Sequence, residues 1–304
     1  MITQIYEIQS PQEAEKCIEL GVDQIGSVLL SRDSWKDPAI KEVAGLTEGT
    51  STKHSIIPLF SETETIFKAM EYYRPGYVHF CESPMDQFGK IKSIEKMIES
   101  QLKFKEHFPE IGIISTVPMP SNDSEAQFSS LEIGKKFARA SDLILADTWL
   151  GKEPVTGFIG ITNTAGNWDV ARELSLELDV PVLLAGGLSP ENVYDAILKV
   201  TPFGVDSCSG TNFVDETGKS VRFRKDFEKL ARFMDEVRRA RETLELKKRE
   251  VKEKLEKLKE ELKEREAALP AHSVKPQQII LLEEIEDEVS STQREYEHLG
   301  EILG

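Results

Sequence analysis

Residues 180–212, VPVLLAGGLSPENVYDAILKVTPFGVDSCSGTN, constrain the fold more than any other stretch. Residues 180–185 are an unbroken apolar run with valines at both 180 and 182. The run stops at Gly186-Gly187 and reads as a strand buried on both faces. Ser189-Pro190-Glu191 then predicts a helix start. Ser189 would be the N-cap and Pro190 the first helical residue, with the stripe Val193, Ile197 and Val200 behind them. Residues 203–207 read as a second buried strand, ended by Ser209-Gly210. In such a β-α-β unit the strands run parallel and adjacent, so both glycine-bearing ends emerge at one edge. Glycines there let backbone N–H groups approach a ligand, and a helix N-terminus favours an anion. Gly186, Gly187, Ser209 and Gly210 are therefore candidate phosphate-binding residues. A single Gly-Gly turn would signify only a change of direction; two adjacent ones favour the phosphate.

The remaining chain repeats this alternation. Further strand-length apolar runs lie at 2–8, 22–30, 55–60, 77–81, 111–117 and 143–147, making eight strands in all. Helical patterns lie between them at 11–20, 62–73, 91–108, 125–140 and 170–178. Nearly continuous apolar strands separated by helices predict a parallel barrel, with a doubly wound open sheet as the competing fold. The 304 residues leave room for one barrel of about 250 residues and an appendage.

The appendage has a different period. From residue 226 a helix runs to about 269. Val237, Leu244, Val251 and Leu258 recur at sevens, and Leu255, Leu262 and Leu269 form a companion series. Residues 270–276, bracketed by prolines, break it. A second seam follows at Leu282, Ile285, Val289, Thr292, Tyr296, Leu299 and Leu303. This predicts a barrel over 1–240 and an antiparallel coiled-coil hairpin over 241–304. An intermolecular coil that builds a homo-oligomer is the alternative. Residues 238–304 carry about −3 of the chain's net charge of −16, as a solvated coiled coil would. Glu283, Glu284, Glu286, Asp287 and Glu288 are read as a solvated face before a docking one, and His272 as a solvated or capping residue of the turn.

A net charge of −16 argues against a nucleic-acid footprint. No apolar stretch approaches the roughly 20 residues of a membrane span, and no basic-then-apolar leader opens the sequence, so a cytoplasmic protein is expected. Cys17, Cys81 and Cys208 are odd in number and lack ligand-pair spacing, which suggests neither disulfides nor zinc. No metal or cofactor is implied.

Leu184-Ala185-Gly186-Gly187-Leu188-Ser189-Pro190-Glu191-Asn192-Val193, then Pro202-Phe203-Gly204-Val205-Asp206 and Ser209-Gly210, resembles the seventh and eighth βα units of phosphoribosylanthranilate isomerase. The resemblance extends over roughly the first 240 residues and implies a (β/α)8 TIM barrel. The phosphate site would lie at units seven and eight, and the activity would be an Amadori aldose-ketose rearrangement in tryptophan biosynthesis. That reaction needs an acid for the ring oxygen and a base for the proton on the sugar's second carbon. The resemblance places the acid at Asp147, a role that requires its pKa to be raised by burial or by a neighbouring anion.

Two positions at the reacting end depart from the family. Tyr6, in Gln4-Ile5-Tyr6-Glu7-Ile8-Gln9, stands where the family has a catalytic cysteine, which leaves Glu7 and Cys81 as candidate bases. The arginine expected after strand two is replaced, with Trp35 near its position and Arg32 close by. Neighbouring strand residues face opposite ways, so Tyr6 and Glu7 cannot both point into the mouth along one strand. Gly157, Gly160 and Gly166 suggest a cover over it. Three readings follow: an isomerase with a substituted base, a relative acting on another phosphorylated sugar, or an inactive barrel serving as scaffold or regulator through its hairpin. A buried, shifted Asp147 beside an open cavity would favour an enzyme. A mouth filled by Tyr6, Trp35 and Phe80 would favour the scaffold.

Overall fold

The computed structural model describes residues 1–86, 88–122, 128–269 and 276–304. It divides into two compact units, Met1–Arg238 and Arg239–Gly304. In the first, strands β1 (Ile2–Tyr6), β2 (Gln24–Leu29), β3 (Lys53–Pro58), β4 (Tyr77–Phe80), β5 (Gly112–Pro120), β6 (Leu143–Trp149), β7 (Val182–Leu184) and β8 (Gly204–Ser207) pair in sequence order, all parallel. β8 closes on β1, with Gln4 opposite Asp206. This is a closed barrel, and the open-sheet alternative falls away. Each βα crossover places a helix outside, so β2 is buried along its whole length.

Helices α1 (Pro11–Glu19), α2 (Pro38–Thr47), α3 (Thr63–Tyr73), α4 (Ile94–His107), α5 (Ser130–Phe137), α6 (Trp168–Glu177) and α7 (Val193–Val200) follow the first seven strands. Their starts are chemically marked. Ser10, Asp37, Ser129 and Asn167 each accept an N–H of the first turn, and Pro11 and Pro38 follow two of these caps. Leu29, Ile56, Met70 and Tyr73 are among the side chains packed between the barrel and its helices.

Three local expectations change. The seventh helix begins at Val193 instead of at Ser189-Pro190. Asn192 accepts the Ser189 N–H and donates to the Gly187 carbonyl, which holds the intervening residues in a turn that the helix only then leaves. Residues 212–225, unassigned in the sequence, form an antiparallel hairpin of β9 (Asn212–Val214) and β10 (Ser220–Lys225) between β8 and the long helix α8 (Phe227–Ala267). The helix expected at 125–140 is seen as α5, and residues 125–127 lie outside the described residues, as do 270–275 with His272.

In the second unit, α8 continues to Ala267 and α9 (Pro276–Leu303) runs antiparallel to it. The direction is read from two ion pairs. Lys247 meets Glu295 at 2.7 Å and Lys254 meets Glu288 at 2.8 Å, so seven residues forward on one helix match seven backward on the other. Leu244, Val251, Leu255, Ile285, Thr292 and Leu299 are buried along the expected seams. Among the described residues no helix is long and apolar enough to cross a membrane.

Candidate active site

The register of the last three strands sets the site. Ala146 pairs with Leu184, and Leu184 with Val205. One residue further on, Asp147, Ala185 and Asp206 therefore stand at one level, where the small Ala185 separates two carboxylates. Both line a narrow, partly open cleft at the C-terminal ends of the strands. Val28, Ile57, Leu59 and Ile159 give the cleft an apolar wall.

The loop after β6 covers this cleft. The Ile159 N–H donates to the Cys81 carbonyl at 2.8 Å, the Ser83 N–H donates to the Gly157 carbonyl at 2.7 Å, and Phe158 bridges to Glu82. Gly160 has φ +115°, and Ile161 and Asn163 hold φ of 61° and 49°. A β-branched residue in the left-handed region stores strain, a feature that concentrates at functional sites.

Burial raises the pKa of Asp147 to about 6, with the Thr148 N–H working against it and Glu153 adding to it. Burial raises Asp206 to about 7; the Gln4 amide, 3.0 Å away, opposes the shift and Asp147 adds to it. Two neighbouring carboxyls in one low-dielectric cleft hold protons into the neutral range as a coupled unit.

The other candidate bases are differently placed. Glu7 borders the cleft, but Arg222 Nε lies 2.6 Å from one carboxylate oxygen, and the Asn212 amide donates to the other at 2.8 Å. The Phe223 N–H adds a third bond at 3.3 Å. Burial alone would raise Glu7; these partners outweigh it and hold the carboxyl below its ordinary value. Glu7 has φ 66°, a left-handed turn that lifts it out of the strand alternation. Tyr6 and Glu7 thus both reach the mouth, contrary to the strand geometry expected. Cys81 lines the cleft as a thiol, pushed to about 12 by burial, with Asp147 and Glu82 adding to the shift.

Tyr6 forms part of the floor. Its hydroxyl lies 2.7 Å from Ser55 Oγ and 2.8 Å from His79 Nδ1, and His79 Nε2 lies 2.7 Å from Thr116 Oγ1. Burial pushes the tyrosine well above its usual range and His79 down to about 3, so the imidazole is neutral. Trp35 and Phe80 do not fill the mouth. Trp35 packs edge-on against Tyr72 and Tyr73, and Phe80 against Phe104. Arg32 is absent from the cleft lining, because the short 3₁₀ turn Arg32–Ser34 leaves it exposed and paired with Glu62 at 3.0 Å.

The glycine-bearing ends stand beside this cleft. Gly186 and Gly187 have φ of 85° and 61°. A side chain on Gly187 would come within 2.9 Å of the Ala165 nitrogen, and one on Gly210 would overlap the Leu188 carbonyl. Thr148 Oγ1 donates to the Thr164 carbonyl at 2.7 Å and Ser209 Oγ to Asn163 Oδ1 at 3.1 Å, so the loops after β6, β7 and β8 meet here. Asp206 and Arg222 were not singled out in the sequence. Asp206 had a signal in its place at the end of an eighth buried strand. Arg222 had one in the alternation of SVRFRK after the turn residues Asp215 to Gly218. Among the described residues no cluster of three His, Cys, Asp or Glu side chains is arranged to hold a metal.

Fold and site together define a (β/α)8-barrel protein with two buried carboxyls of raised pKa at the C-terminal strand ends, beside two glycine-bearing loops. No family model matches the chain. An N-(5'-phosphoribosyl)anthranilate isomerase of Methanosarcina acetivorans is 26% identical over 237 residues, spanning 76% of this chain and 90% of that protein. Isomerase 1 of Methanosarcina mazei is 28% identical over 234 residues, 75% of this chain and 91% of that one. The crystal structure of the Thermotoga maritima phosphoribosyl anthranilate isomerase superposes with a TM-score of 0.56 at 23% identity, covering 78% of this chain and 99% of that one. Over its barrel the chain is similar to phosphoribosylanthranilate isomerases in sequence and shares their fold.

Proposed function

We propose that the protein isomerises a phosphorylated aminoaldose to the aminoketose, with phosphoribosylanthranilate as the first substrate to test. The observation that carries this reading is the Asp147–Asp206 pair, two carboxyls at one level of the cleft with pKa values raised to about 6 and 7. Gly186, Gly187, Ser209 and Gly210 would hold the phosphate with their backbone N–H groups. Asp147 abuts Gly186, so it would sit nearest the phosphate-bearing carbon and the ring oxygen beside it.

Asp147 would give its proton to the ring oxygen as the bond from that oxygen to the first carbon breaks and the nitrogen lone pair forms an imine. Asp206 would take the proton from the second carbon. The released electron pair would make a carbon–carbon double bond, the imine electrons would return to nitrogen, and the enol would tautomerise to the ketose. Singly protonated, the pair shares one proton; Asp206 binds it more tightly at rest, and the reacting form is the one that carries it on Asp147. No proton transfer is assigned to Glu7, whose lone pairs are engaged, or to the neutral Cys81. Tyr6 in the cysteine's place favours a second reading within this chemistry, another phosphorylated aminosugar. Such a metabolic enzyme would work in the cytoplasm. A second copy of the chain would dock on the helical pair through exposed Ile279, Ile280 and Leu281 on α9; a dimer in light scattering that Ile280→Glu dissolves is the expected result.

The test is a steady-state assay following loss of substrate fluorescence, with Asp147→Asn and Asp206→Asn as controls. Turnover abolished by either substitution supports the assignment. Absence of turnover in the wild-type protein, with ribose 5-phosphate still bound by calorimetry, redirects it to another aglycone.

A further inference from the structure

We infer that Arg222, supplied by the β9–β10 hairpin, is the anion-recognising residue of the cleft, and that it takes the carboxylate of an aromatic aglycone. The inference rests on the isomerase reading and names the part of the substrate that this end of the site would hold.

Four observations converge on it. Among the described residues that line the cleft, Arg222 is the one Lys or Arg, beside the carboxyls of Glu7, Asp147 and Asp206, two thiols, the Tyr6 hydroxyl, the neutral His79 ring and apolar groups. Its guanidinium is fixed on one side by the 2.6 Å bond from Nε to Glu7, while Nη2 is buried and has no hydrogen-bond partner. A buried guanidinium N–H left unbonded costs free energy that a ligand oxygen would recover. Backbone strain sits on both sides of the pair, with φ of 66° at Glu7 and 60° at Phe223. Strain at two non-glycine residues persists only where the surroundings over-determine it, and here it aims one side chain.

The anion is distinguished from the phosphate by position. Gly186, Gly187, Ser209 and Gly210 do not line this cleft, whereas Val28, Ile57, Leu59 and Phe158 do. A flat apolar group against that wall, with a carboxylate turned to Nη2, satisfies both surfaces. Arg32 cannot serve, since it faces Glu62 outside the cleft. Glu7 is then a positioning residue, which holds the guanidinium in place.

Calorimetry on the full chain tests this, with 2-aminobenzoate and ribose 5-phosphate titrated separately into wild type, Arg222→Gln and Arg222→Lys. Expected are 2-aminobenzoate binding weakened about 10- to 100-fold in both variants, the loss of one charge-assisted hydrogen bond, and ribose 5-phosphate binding unchanged. The lysine variant keeps the charge beside Glu7 if the glutamine variant does not fold. Weakened ribose 5-phosphate binding would assign Arg222 to the phosphate and overturn the proposal. Unchanged binding of both ligands with a lowered Tm would make it a structural partner of Glu7 and also overturn it. Wild type that binds 2-aminobenzoate through Arg222 yet does not turn over phosphoribosylanthranilate would leave this inference standing and remove phosphoribosylanthranilate as the substrate.

Discussion

The ring of Tyr6 at the end of β1 occupies the space that any side chain on Gly26, its paired residue on β2, would need. The two positions are therefore one packing unit. Gly26→Ala should cost about 1–3 kcal/mol by overpacking, read as a lowered denaturation midpoint. In a Tyr6→Cys background the same alanine should be tolerated, and a double-mutant cycle measures the coupling.

The coupled carboxyls predict a narrow pH optimum. With values of about 6 and 7, kcat/KM should be greatest between those pH values and fall on both sides, as the pair gains a second proton or loses its only one. A pH–rate profile checks it. Asp206→Asn should remove the two-limbed shape along with most of the rate.

The same residue predicts a gain in stability where activity is lost. Asp206 holds its proton more tightly in the folded chain than in the unfolded one, so its stabilising contribution is complete below pH 3.8 and lost as pH rises through about 7. At pH 8 the folded protein carries a buried charge, which Asp206→Asn removes. The variant should be more stable there by up to about 4 kcal/mol, with the difference vanishing near pH 3 in urea titrations. Glu7 behaves in the opposite sense. Its lowered pKa stabilises the fold above pH 4.5, and the contribution disappears as pH falls through the folded value.

At the glycine ends, Gly187→Ala should drive the β7 loop against Ala165 and impose a left-handed conformation on alanine. Ribose 5-phosphate binding is expected to weaken at least about tenfold in calorimetry, the value of a well-placed hydrogen bond to a charged group, while the barrel's circular dichroism is retained.

Much of this architecture was legible because parallel strands are buried on both faces and so announce themselves as apolar runs; all eight runs fall on strands. The glycine ends were legible for the same reason. The β9–β10 hairpin was not read, since SVRFRK alternates charge with apolar residues on a two-stranded ribbon and resembles a charged linker. Asp206 carries only a weak signal, its place at the end of the eighth buried strand, which does not by itself mark a functional carboxyl. Its meaning comes from Asp147, two strands away in the barrel and 59 positions earlier in the chain. Glu7 could not be judged from β1 alone, because its partners lie on the last hairpin.

That last separation bears on timing. Glu7 and Arg222 are 215 positions apart, and Asn212 is 205 from the same carboxylate. Contacts of such sequence distance form late, because loop closure must precede them. During synthesis all eight barrel strands emerge before Arg222, the residue that pairs with Glu7. A chain made only as far as β8 therefore holds Glu7 without its Arg222 and Asn212 partners.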